Sequence, residues 1–212
     1  MKTYTMQKIN IVPDWDAIPV MPIDNFLWLD PVDVTAQAQI CWDDEAFYVR
    51  MKALEPKLRM QESGLVPEVC RDSCFEFFFQ PTDRPEYMNF EMNPDCSVWL
   101  GYGVDGEKRM RLLIPKVDTL LSARGTFTFD GWRLTYKIPF SFLRIFYPEF
   151  APKEGMCIRG NIYKCGERTT TPHFMAWNPI VSKKPNFHLP EFFGNLVFGG
   201  LQETDTTPCD KT

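Results

Sequence analysis

Short runs of alternating apolar and polar residues make up most of this chain, separated by Pro, Gly, Asp and Asn. A period of two puts alternate side chains on opposite faces of a β-strand. Residues 36–42 (AQAQICW) and 46–53 (AFYVRMKA) flank DDE, a hairpin signature. Residues 75–80 (FEFFFQ) and 87–93 (YMNFEMN) flank the longer loop PTDRPE, and 96–102 (CSVWLGY) follows closely. Residues 125–129 (GTFTF) and 132–139 (WRLTYKIP) enclose Asp130-Gly131, a two-residue turn signal. Further strands are predicted at 156–165 and 196–199, and a short helix at 140–146 (FSFLRIF). The 18 prolines spread along the chain exclude long helices. At least eight strands in one unit predict an all-β fold, a β-sandwich of two antiparallel sheets with one short helix. Residues 1–200 are expected to form this single domain, with the polar 201–212 as a flexible tail.

The run DSCFEFFFQP (72–81) carries a carboxylate in the middle of four phenylalanines. Parity puts Phe75, Phe77 and Phe79 on one face, and Glu76, Phe78 and Gln80 on the other. Closing the hairpin around 81–86 pairs Phe78 with Asn89 and Glu76 with Glu91. Like charges opposed across two strands destabilise the pair, so a cation, a raised pKa or a ligand must compensate. In 156–165, Arg159, Asn161, Tyr163 and Cys165 share a face, and Tyr48, Arg50 and Lys52 do so in 46–53. Carboxylates, guanidinium groups, an amide and phenols on one sheet suit a sugar through charge-assisted hydrogen bonds. The plainer reading is a solvated sheet face with surface ion pairs. A third is a glycosidase that uses Glu76 and Glu91, since opposed carboxylates approach the ~5–5.5 Å separation of retaining enzymes.

Composition narrows the field. Hydrophobic residues form 44% of the 212, enough for a sizeable core, and aromatics 15%, a level that serves cores and binding sites alike. The net charge of −5 argues against nucleic-acid partners. No apolar stretch reaches the ~18–20 residues of a membrane span. The N-terminus has no apolar block of signal-peptide length, so the chain reads as cytoplasmic, or as secreted or periplasmic if a signal has been removed. The seven cysteines, an odd number without regular spacing, read as small buried thiols in a reducing compartment, with zinc at Cys70 and Cys74 as the alternative. No cofactor is expected, although Asp43, Asp44 and Glu45 can be a structural calcium site or a solvated turn. Trp177 reads as a ligand platform or a loop anchor, Trp99 and Trp132 as core, and Trp15 as a pin for the N-terminal arm. His188 stands next to Phe187 as a ligand candidate, and His173 reads as a hydrogen-bonding histidine.

CWDDEAFYVRMKALEP, DSCFEFFFQP and YMNFEMNPDCSVW, followed in order by GWRLTYKIPFSFL, RGNIYKCG, HFMAWNPI and PNFHLPEFFGNLVF, resemble the family 9 carbohydrate-binding modules and their DOMON-type relatives across residues 33–199. The resemblance implies a jelly-roll or immunoglobulin-like β-sandwich that binds carbohydrate without catalysis and accompanies polysaccharide-degrading enzymes. It implies a terminal sugar clamped between two aromatic residues. Glu76 matches the strand glutamate, Tyr163 falls at a polar contact, and Phe187 stands where the second clamp tryptophan is expected. Arg71 lies at the first clamp position and can stack through its guanidinium. Glu91 replaces a residue that is often basic. DOMON-type relatives also raise haem binding through Met and His, and the altered clamp raises an interaction module with a degenerate sugar site.

Overall fold

The structure, a computed structural model, describes residues 1–114 and 117–201. The predicted tail therefore lies, from 202 on, outside the described residues, as does Cys209. In chain order the strands are β1 (Thr3–Lys8), β2 (Met21–Ile23), β3 (Asn25–Phe26), β4 (Thr35–Trp42), β5 (Ala46–Leu54), β6 (Cys74–Gln80), β7 (Tyr87–Met92), β8 (Val98–Gly103) and β9 (Arg109–Arg111). Helix α1 (Val117–Leu121) precedes β10 (Arg124–Phe127) and β11 (Gly131–Pro139). Helix α2 (Phe140–Phe146) is followed by β12 (Cys157–Cys165), β13 (Phe174–Ala176) and β14 (Gly194–Leu201).

Two strand sets face each other across the core: β10-β11-β5-β4 and β14-β12-β6-β7-β8-β9. β1 stitches them together, pairing parallel with β14 through Thr3–Met6 and with β4 through Gln7 and Lys8. The sandwich is thus mixed rather than wholly antiparallel, and it has two short helices among the described residues where one was predicted. α2 spans the predicted 140–146. β10 and β11 pair Phe127 with Trp132, so the Asp130-Gly131 turn is a wider connection than two residues.

The core follows strand parity. Phe75, Phe77 and Phe79 of β6 and Met88, Phe90 and Met92 of β7 all point between the sheets, at most 1% exposed. Phe75 packs on Trp132 of β11 with ring centroids 4.6 Å apart, and Phe79 meets Phe47 of β5 edge-on at 5.8 Å. Each such burial is worth about 1.5–3 kcal/mol relative to exposure, which makes a one-residue register slip prohibitive.

The opposite face of β12-β6-β7-β8 departs from the expected wet surface. Phe78, Tyr87 and Tyr163 stand on it beside the glutamates, and large rings demand cover. Leu27, Val69, Ile180, Phe187 and Phe193, contributed by connecting segments, build a second apolar layer over them. A sheet buried on both sides can hold a polar site only as a pocket.

A buried polar network adjoins the main core. Lys164 of β12 points inward with no exposed surface. Its ammonium is 3.1 Å from Glu55 Oε2 and donates to the Cys165 carbonyl and to His173 Nε2 at 2.8 Å each. Glu55 also accepts from Ser73 Oγ at 2.8 Å and from the Trp132 indole at 3.0 Å, so the network ties both sheets together. His173 Nδ1 lies 2.8 Å from the Thr171 carbonyl, which fixes the N–H there and leaves Nε2 to accept. Burial and the neighbouring lysine push this imidazole down to about 4.

Candidate functional site

The site starts from register. β6 pairs Glu76 with Glu91 of β7, and β12 pairs Tyr163 with Glu76. Glu91 in turn pairs with Trp99 of β8. One row across the outer face therefore reads Tyr163, Glu76, Glu91, Trp99. Glu76 is 3% exposed and Glu91 7%.

What exposure they have opens into a pocket of about 180 Å³ with the two carboxylates in its lining. The aromatic wall is Trp28, Phe174 and Phe187. Trp28 lies 5.5 Å from each of the other two rings, edge-on to Phe174 and tilted to Phe187. Cys70, Glu167, Asn186 and His188 complete the lining with Pro185. It is a small pocket, suited to one ring or the end of a longer ligand.

Trp28 is held by its backbone in the left-handed region (φ 61°) and by its indole N–H, which donates to the Ser182 carbonyl at 2.9 Å. A bulky residue is seldom found at positive φ except where the surroundings impose it, and such positions cluster at binding sites.

The two glutamates are held differently. Glu76 Oε1 accepts from the Cys165 thiol at 3.0 Å, and Glu91 Oε1 accepts from the Asn89 amide at 2.7 Å. Burial, then the neighbouring Glu91, raises the Glu76 carboxyl well above the usual carboxylate range. Burial pushes Glu91 up to about 7, with Arg109 acting in the opposite direction. Arg109 lies behind Glu91, its guanidinium 4.7 Å from the Trp99 ring centre and 5.6 Å from that of Tyr87. Gly101 makes room for it: a Cβ there would collide with the guanidinium, the Trp99 ring and Asn89 Oδ1. Arg109 also reaches the His188 ring, 3.0 Å from Nε2, and the Tyr87 hydroxyl is 3.0 Å from Nδ1. Burial and Arg109 hold His188 near 3, so it is a neutral ring at physiological pH.

The nine residues expected from sequence separate into two groups. Glu76, Glu91, Phe187 and His188 line the pocket. Tyr163 lies one layer beneath, fully buried, its ring stacked on Phe187 at 4.1 Å and its hydroxyl donating to the Phe187 carbonyl at 3.2 Å. Arg71 sits outside the lining, 3.9 Å from Glu62. Arg159 donates to the Phe193 carbonyl and faces a separate groove of about 570 Å³ beside Gln80 and Arg84. Asn161 is spent on structure: its amide donates to the Asn178 carbonyl and its oxygen accepts from the Asn178 N–H, both at 2.9 Å. Trp177 is 3% exposed in the main core, the loop-anchoring role rather than a platform. Trp28, Phe174, Glu167 and Arg109 join the site without having been expected there.

Among the described residues, one soft donor set could hold a metal. Cys74 Sγ, Cys165 Sγ and a Glu76 oxygen all lie within 4.8 Å of one another, a set that suits zinc rather than calcium. In the structure Cys165 bonds Glu76, and burial raises Cys74 to about 12, which favours the neutral thiol. The acidic turn 43–45 is occupied by local bonds. Asp43 Oδ1 accepts the N–H groups of Glu45 and Ala46 at 2.8 Å, Oδ2 accepts the Tyr48 hydroxyl, and Asp44 pairs with Lys8 at 2.7 Å. Both histidines are engaged, His173 by Lys164 and His188 by Arg109 and Tyr87. No described helix is long and apolar enough to cross a membrane.

No curated protein matches the chain. In structure it resembles a protein of Bacteroides uniformis ATCC 8492 to which carbohydrate binding is provisionally assigned, with TM-score 0.80, 27% identity, and coverage of 93% of this chain and 99% of that one. It also resembles a family 9 carbohydrate-binding module of Caldicellulosiruptor kristjanssonii in complex with cellotriose, with TM-score 0.68, 12% identity, and coverage of 99% and 100%. The same organism's family 9 module in complex with glucose gives TM-score 0.67 at 12% identity over 97% and 100%. The model of carbohydrate-binding family 9 matches residues 7–198, nearly the whole domain, and the chain belongs to that family.

Proposed function

We propose that the chain binds a single sugar or the end of a glycan, without cleaving it, in the pocket walled by Trp28, Phe174 and Phe187 above Glu76 and Glu91. One observation carries this reading: two buried carboxylates with accepting capacity left over lie beside three aromatic rings in the lining of one small pocket. Ring hydroxyls donate to the carboxylates, and the C–H face of a pyranose packs on an aromatic wall. The C. kristjanssonii modules were described with ligands of this class, cellotriose and glucose. Such a module serves polysaccharide degradation by anchoring, not cutting.

Hydrolysis asks for another geometry. Glycosidase carboxylates flank the scissile bond from two sides. Glu76 and Glu91 are direct neighbours on adjacent strands and meet a ligand from one side.

Trp28 is the sharper test of the wall, because Phe187 is also packed against Tyr163. In calorimetry against a panel of mono- and oligosaccharides, Trp28→Ala is expected to weaken the tightest sugar at least ~tenfold, about 1.4 kcal/mol, with an unchanged circular-dichroism spectrum. Glu76→Gln is expected to act in the same direction. Unaltered affinity in both variants would move the site elsewhere.

A further inference from the structure

The charges lining the pocket are all of one sign. Glu76, Glu91 and Glu167 face it, and no lysine or arginine belongs to the lining. The nearest guanidinium, Arg109, lies outside the lining among Trp99, Tyr87 and His188, and although its charge favours the ionised form of both glutamates it bonds neither. Among the described residues no ion pair joins it, or any other cation, to Glu76 or Glu91. Each of these glutamates uses one oxygen within the chain, on Cys165 or on Asn89. Among the described residues nothing bonds the second oxygen of either, although both side chains are more than nine-tenths buried and face the cavity.

A neutral hexose would satisfy those oxygens with hydroxyl donors but would bring no positive charge to the opposed pair. An ammonium group brings three donors and a positive charge directly to the same point. Trp28, Phe174 and Phe187 add aromatic rings to the same lining, and a ring face attracts a cation. We infer that the pocket selects a carbohydrate with a free, protonated amine on a ring carbon, a hexosamine, over the corresponding neutral or N-acylated sugar. This inference rests on the carbohydrate-binding reading above.

The test compares glucosamine, galactosamine, glucose and N-acetylglucosamine by calorimetry on the intact chain at neutral pH and low salt. At least one amine sugar is expected to bind tenfold or more tightly than both glucose and N-acetylglucosamine. That margin is expected to shrink at high salt and to fall below about threefold in Glu91→Gln, where one carboxylate of the pair is gone. Glucose binding as tightly as glucosamine would overturn the inference and leave sugar binding standing. Loss of all four ligands would overturn both. The wild-type comparison needs no variant, so a poorly folding Glu91→Gln cannot rescue the idea.

Discussion

Glu55→Ala is expected to remove about 3–5 kcal/mol of folding stability, a large share of the ~5–15 kcal/mol typical of a domain. The substitution strands the Lys164 ammonium in the core, where it has no exposed surface and loses its only carboxylate among the described residues. It also leaves the Trp132 indole and the Ser73 hydroxyl without their acceptor. The penalty comes from the orphaned charge more than from the lost attraction, and this makes a specific pattern. Lys164→Met alone is also expected to destabilise, by stranding Glu55. Glu55→Ala combined with Lys164→Met should be less harmful than the two single costs added, because no net charge stays buried. Urea denaturation of the four proteins measures this. Additive costs would mean that the two groups act independently and that the network does not join the sheets.

That network also marks a boundary of what strand patterning can reveal. A period of two was enough to place Phe75, Phe77 and Phe79 inside and to oppose Glu76 and Glu91, because a strongly apolar inner face permits one register. The same parity sends Lys164 inward, but its partner stands just past the end of β5, and nothing local in YKC points to it. Parity tells which face a residue occupies, not what covers that face. Arg159 and Asn161 share a face with Tyr163, yet four residues of strand separate Arg159 from it by roughly 14 Å, so Arg159 reaches another groove. β1, with Tyr4 and Met6 buried in alternation, was legible in principle, although its parallel pairing with two partners was not. The pocket wall was least legible. Trp28 and Phe187 come from irregular segments whose positions depend on long-range packing, and a left-handed tryptophan leaves no periodic trace.

Glu91→Gln is expected to make the protein more stable than wild type above neutral pH, by about 3 kcal/mol, and to bring little gain in acid. The Glu91 carboxyl is raised from 4.5 to about 7 by burial, so between those values the folded state holds a proton that the unfolded chain has released. Stability from this group is complete below about 4.5, declines as pH rises toward 7, and is gone above it. Glutamine is a permanent stand-in for the protonated acid and keeps an oxygen for the Asn89 amide. It also takes a like charge away from Glu76, whose own carboxyl is raised in part by Glu91. The histidines act the opposite way: His173 near 4 and His188 near 3 are depressed, so their contribution is present above about 6.5 and lost in acid. Subtracting the variant's pH profile from the wild-type profile cancels the histidines and isolates the glutamates. Denaturation at about pH 5 and about pH 8.5 gives the two points. Parallel profiles would show that Glu91 is solvated in the folded protein and is not the buried member of a repelling pair. A difference that opens with pH would mean that the fold carries a standing electrostatic cost at one place, the floor of its pocket, and that a ligand able to neutralise the pair relieves that cost on binding.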